Sequence, residues 1–306
     1  MNSVAVICGP TASGKTKFAV DLAKKLNTEV ISADCMLVYK NLNIGTAKPT
    51  LEEMRGVKHH MIDVASPKQR FSVSDYKEMA LPIIERLIQE GKTPMICGGT
   101  GFYIESLLYE SHMGGSGANE EIRAKYAAVL DEMGKEQGSR YLHDLLEKAD
   151  SESAARLHVN DVKRVIRALE IYETTGKKKS EQHDTKTPRF PFHAYCISFP
   201  RDSLYQRINR RVEQMFENGL VNEVEELLKS GASRNDQCMQ GIGYKEVIEG
   251  ILDGVPWDIV KENVKQHTRN YAKRQITFFK RMQNLTQIPY EAFLSGEEFN
   301  YTEELF

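Results

Sequence analysis

An α/β fold, with a P-loop core whose parallel sheet is flanked by helices and a helical domain inserted into it, is what this 306-residue sequence predicts. Three observations carry that expectation. The stretch Gly9-Pro10-Thr11-Ala12-Ser13-Gly14-Lys15-Thr16 fits the phosphate-loop pattern G-x-x-x-x-G-K-[ST] without a gap, between an apolar β-branched run and a helical stripe. Strand-like and helix-like segments then alternate as far as Gly101. After the breaker cluster Gly114-Gly115-Ser116-Gly117 the strand signals vanish until Phe192.

Val4 to Cys8 reads as a buried strand, and Lys17 to Leu26 as a helix with Phe18, Leu22 and Leu26 on one face. Glu29 to Ser32 reads as a second strand that delivers Ala33-Asp34-Cys35-Met36 at its carboxyl end, the edge where open α/β sheets bind ligands. Tyr39 to Lys48 is polar and Gly-interrupted, hence a surface loop. Met61 to Val64 looks like a third strand. A helix starts at Ser72, with Tyr76, Met79, Ala80, Ile83 and Leu87 as its stripe, and Glu90-Gly91-Lys92 stops it. Pro94 to Cys97 is a further strand, ending in Gly98-Gly99-Thr100-Gly101. Residues 1–117 and 189–306 are thus expected to form the core, and residues 118–188 a helical insertion. Lys177 to Pro191 reads as a linker, Phe192 to Phe199 as a strand. The remainder is helical: Asp202 to Lys229 with Leu204, Ile208, Val212 and Met215 on one face, then Tyr244 to Leu252, then Trp257 to Arg281.

Bulk charge gives no hint of a polyanion partner, since the formal net charge is −2. Its distribution does. Between Lys163 and Arg189 eight Lys or Arg face four Asp or Glu, and between Lys265 and Arg281 there are six basic residues and no acid. Lys265, Arg269 and Lys273 recur every fourth residue, with Phe278 and Phe279 further along the same helix. The alternative is an ordinary solvated face. Five scattered cysteines, Cys8, Cys35, Cys97, Cys196 and Cys238, contain no C-x-x-C pair and read as reduced thiols. No apolar run approaches the ~20 residues of a membrane span, and no basic segment followed by an apolar run marks the start, so a soluble, cytoplasmic protein is expected.

Glycines let the loop curl round a phosphate, the helix N-terminus adds partial positive charge, Lys15 neutralises oxygens, and the Thr16 hydroxyl suits Mg²⁺. Asp34, one strand over, suits a general base or a metal-holding acid; a turn aspartate is the bland alternative. Asp63 is a weaker candidate for the metal-holding part. Arg207 and Arg211, four apart on a helix whose Ile208 and Val212 face the core, share a face able to clamp a diphosphate. A small-molecule kinase and a nucleotide-gated RNA-binding module would both use this phosphate loop, with ATP as a rival ligand, but a kinase has no need of two basic patches.

The loop, followed by Ile31-Ser32-Ala33-Asp34 with Val38-Tyr39 and by Ile44-Gly45-Thr46-Ala47-Lys48-Pro49, resembles the tRNA dimethylallyltransferase family. Further matches are His59-His60-Met61-Ile62-Asp63, Phe71-Ser72, Gly98-Gly99-Thr100-Gly101 with Tyr103, Arg164 to Glu170, Gly241-Ile242-Gly243-Tyr244-Lys245, and Tyr271-Ala272-Lys273-Arg274-Gln275. Cys35, Leu37 and Asn43 depart from the usual pattern and leave the acid at 34 in place. The resemblance implies a P-loop core with a helical insertion. It implies transfer of the dimethylallyl group of dimethylallyl diphosphate to N6 of the tRNA adenosine just 3′ of the anticodon, with Mg²⁺. Gly9 to Thr16 would then cradle the diphosphate, Asp34 would be the base, and Arg207 or Arg211 would assist the leaving group. Contacts to the tRNA anticodon stem-loop are implied for Asp34, Cys35, Met36, Leu37, Thr100, Arg123, Lys163, Arg164 and Arg167, and for Gln240, Gly241, Ile242, Gly243, Tyr244 and Lys245. A monomer is expected. An exocyclic adenine amine is a poor nucleophile, because its lone pair is delocalised into the ring, so the chemistry needs a carboxylate near the donor's first carbon.

Overall fold

The computed structural model describes residues 3–110, 117–182 and 187–291. Gly114-Gly115-Ser116 of the breaker cluster and linker residues 183–186 lie outside them. The described chain divides into two compact units: residues up to Leu108 with those from Pro188 onward, and Tyr109 to Thr187 between them. The inserted unit therefore begins at Tyr109 rather than at 118.

The larger unit is built on a six-stranded sheet in the order β3-β2-β4-β1-β5-β6. Every pairing is parallel. At its centre β1 (Val4–Cys8) is buried at every position, which is why it reads as a continuous apolar run rather than an alternation. The phosphate loop follows, and α1 (Lys15–Lys25) starts directly after Gly14, whose φ of 85° lies where a side chain would be strained. Phe18, Ala19, Leu22 and Ala23 of α1 pack on Ala5, Ile7, Met95 and Tyr195 of the sheet.

Next come β2 (Val30–Ser32), the short α2 (Leu51–Met54) and β3 (His59–His60). The strand expected over Met61 to Val64 is not one: Met61 and Asp63 have φ of 62° and 57°, so the chain turns there and only His59 and His60 pair with β2. Met61 is buried from within that turn, which accounts for the misleading apolar signal. α3 (Val73–Gln89) opens on a capping box between Ser72 and Asp75. Its core stripe is Tyr76, Ala80, Ile84 and Leu87, the 3.6-residue steps from Tyr76; Met79, expected inside, is 43% exposed. β4 (Met95–Gly98) and α4 (Gly101–Leu108) complete the first half.

The inserted unit consists of α5 (Glu120–Met133), α6 (Lys135–Ala149), α7 (Ser151–Arg156) and α8 (Val162–Thr175), closed around Tyr126, Leu142, Leu146, Val165 and Leu169. Its hinge of polar order is Asp150. Burial alone would raise that carboxyl, but hydrogen bonds from Ser153 and Ser180 outweigh it and hold it down at about 2.

After β5 (Phe192–Ser198), the helix expected from Asp202 to Lys229 is two, α9 (Arg201–Glu217) and α10 (Leu220–Lys229), split at Gly219 with φ 93°. α11 (Tyr244–Asp253) and α12 (Trp257–Phe279) follow. A last strand absent from the sequence reading, β6 (Leu285–Pro289), adds to the edge beside β5. Among the described residues no helix is long and apolar enough to cross a membrane.

Candidate active site

The carboxyl ends of β1, β2 and β4 converge on two adjoining cavities. The first, of about 100 Å³, is lined by Lys15 and Thr16 of the phosphate loop and by Gly98 and Gly99. The second, of about 370 Å³ and mostly apolar, is lined by Met36, Val212, Met215, Ile242 and Val264. Thr11, Asp34, Thr46, Arg211 and Tyr271 line both. Asp34 therefore stands at the boundary between a cationic chamber and an apolar one.

Local chemistry fixes each of these groups. The Asp34 carboxylate oxygen Oδ1 accepts from the Met36 amide at 2.9 Å, so the turn role and the cavity position belong to the same residue. Lys15 donates from Nζ to the Pro10 carbonyl at 2.7 Å. Burial pulls its pKa below the usual lysine value, with Cys97 and Asp34 opposing and Arg211 adding to the fall. An anion beside Lys15 would reverse that penalty.

The two arginines separate by role. Arg207 donates from Nε to the Ala12 carbonyl at 2.8 Å and lies over the Phe199 ring, bracing the loop from behind. Arg211 lines both cavities; burial, then the charge of Arg207, lowers its pKa. Thr100 is not among the lining residues: its hydroxyl accepts from the Cys35 amide at 3.0 Å and so supports the segment that carries Asp34. The Cys35 thiol is pushed up to about 11, by burial first and the Asp34 charge second, so it is no nucleophile near neutrality.

Cys35, Met36, Gln240, Gly241 and Ile242 line the apolar cavity, and Leu37 the other. Gly243 and Tyr244 do not: Tyr244 is fully buried, donating its hydroxyl to Glu223 at 2.6 Å, and Lys245 is an exposed partner of Glu249. Asp63, the weaker acid candidate, is ion-paired with Lys48 outside the cavities. In the inserted unit, Arg123 and Arg167 converge on the fully buried Glu170, at 3.0 and 2.7 Å, which neutralises charge expected to face RNA. Lys163 and Arg164 are exposed. On α12, Lys265 pairs with Glu213 and Arg269 with Glu262, so the row of bases is only partly open.

The sequence reading gave no role to two residues, Gln275 and Glu223. Gln275, 5% exposed, accepts from the Thr11 amide at 2.9 Å and donates to the Gly99 carbonyl at 2.9 Å, tying the phosphate loop to the turn after β4. A Cβ at Gly99 would lie 2.2 Å from that Gln275 nitrogen. Glu223 accepts from the amides of Asn43, Ile44 and Gly45 at 2.8, 2.8 and 3.1 Å as well as from Tyr244. It thus holds the loop whose Thr46 walls both cavities. In the sequence Gln275 stands only as the end of a family-like stretch, Tyr271 to Gln275, which gives it no role of its own.

Fold and site together define a P-loop protein of the transferase kind, in which a chamber lined by Lys15 and Arg211 opens onto a larger apolar pocket past one carboxylate. The family model described as IPP transferase matches residues 37–282, and the chain belongs to that family. It is 44% identical over 301 residues to the tRNA dimethylallyltransferase of Acetivibrio thermocellus, covering 97% of this chain and 95% of the relative. Among solved structures it is similar to the tRNA delta(2)-isopentenylpyrophosphate transferase of Staphylococcus epidermidis, with 41% identity, a TM-score of 0.69, and coverage of 95% of this chain and 94% of that one. A eukaryotic dimethylallyltransferase acting on tRNA shares 28% identity with a TM-score of 0.80, covering 99% of this chain and 77% of that one.

Proposed function

We propose that this enzyme transfers the dimethylallyl group of dimethylallyl diphosphate to N6 of the tRNA adenosine 3′-adjacent to the anticodon, releasing diphosphate. The observation that carries the reading is the shared boundary of the two cavities, where Asp34 and Arg211 face both. The diphosphate lies in the chamber of Lys15 and Thr16, and the adenine enters the apolar cavity past Met36 and Ile242. The bond between N6 and the donor's first carbon forms as the carbon–oxygen bond to diphosphate breaks, and Asp34 takes the N6 proton. Lys15 and Arg211 receive the charge that develops on the leaving group. A loop adenine costs less to extrude than a paired one, which suits an anticodon-loop target.

The residues present fit Mg²⁺ held chiefly by diphosphate oxygens and water. Thr16 offers a hydroxyl in the chamber, while the described residues contain no group of three His, Cys, Asp or Glu able to cage a metal alone. When bound, the ion adds neutralising charge to the leaving diphosphate. Exposed Lys163 and Arg164 are assigned to the phosphates of the anticodon stem-loop. The reading is completed by a monomer working in the cytoplasm.

Incubating the protein with tRNA, Mg²⁺ and dimethylallyl diphosphate and weighing the tRNA tests this. A gain of one dimethylallyl group on the adenosine is expected. Phosphoryl transfer from ATP in place of prenyl transfer would establish the kinase alternative, and tRNA binding with no gain in mass would leave only a binding module.

A further inference from the structure

Beyond the two cavities, one aromatic feature of α12 has no part in the chemistry above. Of Phe278 and Phe279, neighbours in sequence, Phe279 is 1% exposed and belongs to the core. Phe278 packs on it edge-on, with centroids 5.6 Å apart at 79°. On the outer side Phe278 meets Phe102, at 5.7 Å and 60°. Phe102 itself is 66% exposed, although it sits in the first turn of α4 beside the Gly98–Gly101 turn. The Gly101 backbone comes so close beneath that a Cβ there would stand 2.2 Å from the Phe278 ring. An exposed ring backed by a second ring, which is backed by the core, is a stiff surface rather than a loose side chain.

Along α12, Phe278 comes directly after the residues that line the apolar cavity. Tyr271 and Arg274 line that cavity, the Arg274 guanidinium lies 5.7 Å from the Tyr271 ring centre, and Phe278 follows one turn later. The positions 271, 274 and 278 are spaced three and four apart, hence on one side of the helix. Around them the segment Lys273 to Arg281 carries Lys273, Arg274, Lys280 and Arg281 and no acid. Ring faces interleaved with fixed positive charge suit a single-stranded nucleic acid, whose bases stack while its phosphates are neutralised.

Resting on the transfer reaction proposed above, we infer that Phe102, seated on Phe278, is a stacking platform for an unpaired anticodon-loop base next to the adenosine that enters the cavity. The platform keeps the loop from re-closing behind the extruded base. It therefore acts on RNA affinity and not on the bond-making step.

The test uses anticodon stem-loop RNA and dimethylallyl diphosphate with the full-length protein. Phe102→Ala should raise KM for the RNA by roughly ten-fold, the size of a lost base–aromatic stack. The rate at saturating RNA and KM for the donor should stay within two-fold. Phe102→Trp should keep wild-type KM, and Phe278→Leu should show a smaller rise. The decisive arm pairs each protein with RNA made abasic at one loop position beside the target. At the stacked position wild-type enzyme should lose what Phe102→Ala loses, and the two changes together should lose no more. Unchanged KM in Phe102→Ala, or strictly additive losses at every loop position, would overturn the platform. So would an effect confined to binding of anionic vesicles. Wild-type protein that transfers nothing to the RNA would instead overturn the reaction on which the inference rests.

Discussion

Two stretches of this molecule suit an anion, and only one of them is given its anion by the chain. At Asn43 to Gly45 three successive amides end on a carboxylate supplied by the chain, Glu223, and the Tyr244 hydroxyl completes the set. Both carboxylate oxygens take two donors, which uses the capacity of an ionised carboxyl. At Gly9 to Thr16 two cations, Lys15 and Arg211, outnumber the one neighbouring carboxylate, Asp34. One stretch makes a wall and the other lines a cationic chamber. The sign of the nearest side chain decides which.

Breaking the chamber should have the largest effect at its boundary carboxylate. Asp34→Asn is expected to slow single-turnover transfer by on the order of 10² to 10⁴, with both substrates still bound, because asparagine cannot take the proton. Rates near wild type at saturating donor, RNA and Mg²⁺ would remove Asp34 from the chemistry; recovery with excess Mg²⁺ would make it a metal holder instead. Next comes Lys15→Ala, for which a loss of about 10² in kcat/KM for the donor is expected, RNA affinity being unchanged. Loss of RNA affinity alone would mean that the loop holds RNA phosphate.

On the wall side, Glu223→Gln puts an amide donor against backbone donors. A stability loss of about 1–3 kcal/mol is expected, with faster hydrogen exchange at the amides of 43 to 45 and a smaller fall in transfer than for Lys15→Ala. Unaltered exchange there would show that the loop stands without its carboxylate. The smallest effect concerns Glu29, just before β2, the strand that has Asp34 beyond its other end. Burial would raise the Glu29 carboxyl, but hydrogen bonds from His60 and Arg86 outweigh it and hold it at about 2. Because the folded pKa is depressed, its stabilisation is present above the unfolded value and is lost as pH falls from about 4.5 toward 2. Thermal melts of Glu29→Gln should show a flatter acid limb than wild type while transfer at neutral pH is kept.

The phosphate loop was legible in the sequence because its parts are consecutive residues with a spacing dictated by phosphate geometry. Asp34 was legible for a related reason: a strand end next to that loop can be counted off along the chain. Gln275 and Glu223 were not, since they reach partners 264 and about 180 residues away, and no local pattern encodes a contact made by tertiary packing. The turn at Met61 to Asp63 misled for the opposite reason. Apolar residues there are buried in left-handed backbone that residue type alone does not announce. Tyr244 misled too: its ring is fully buried and its hydroxyl is spent on Glu223.

Gln275 also sets an order of events during biosynthesis. The amide it holds belongs to residue 11 and the carbonyl to residue 99, whereas the side chain itself belongs to the closing helix. A ribosome must therefore extend the chain 264 residues beyond Thr11 before the glycine loop can acquire this second brace. Earlier nascent chains carry the loop without the helix that steadies it. A product truncated before α12 keeps the glycine motif and the Arg207 brace on the Ala12 carbonyl, and lacks the tie that joins residue 11 to residue 99.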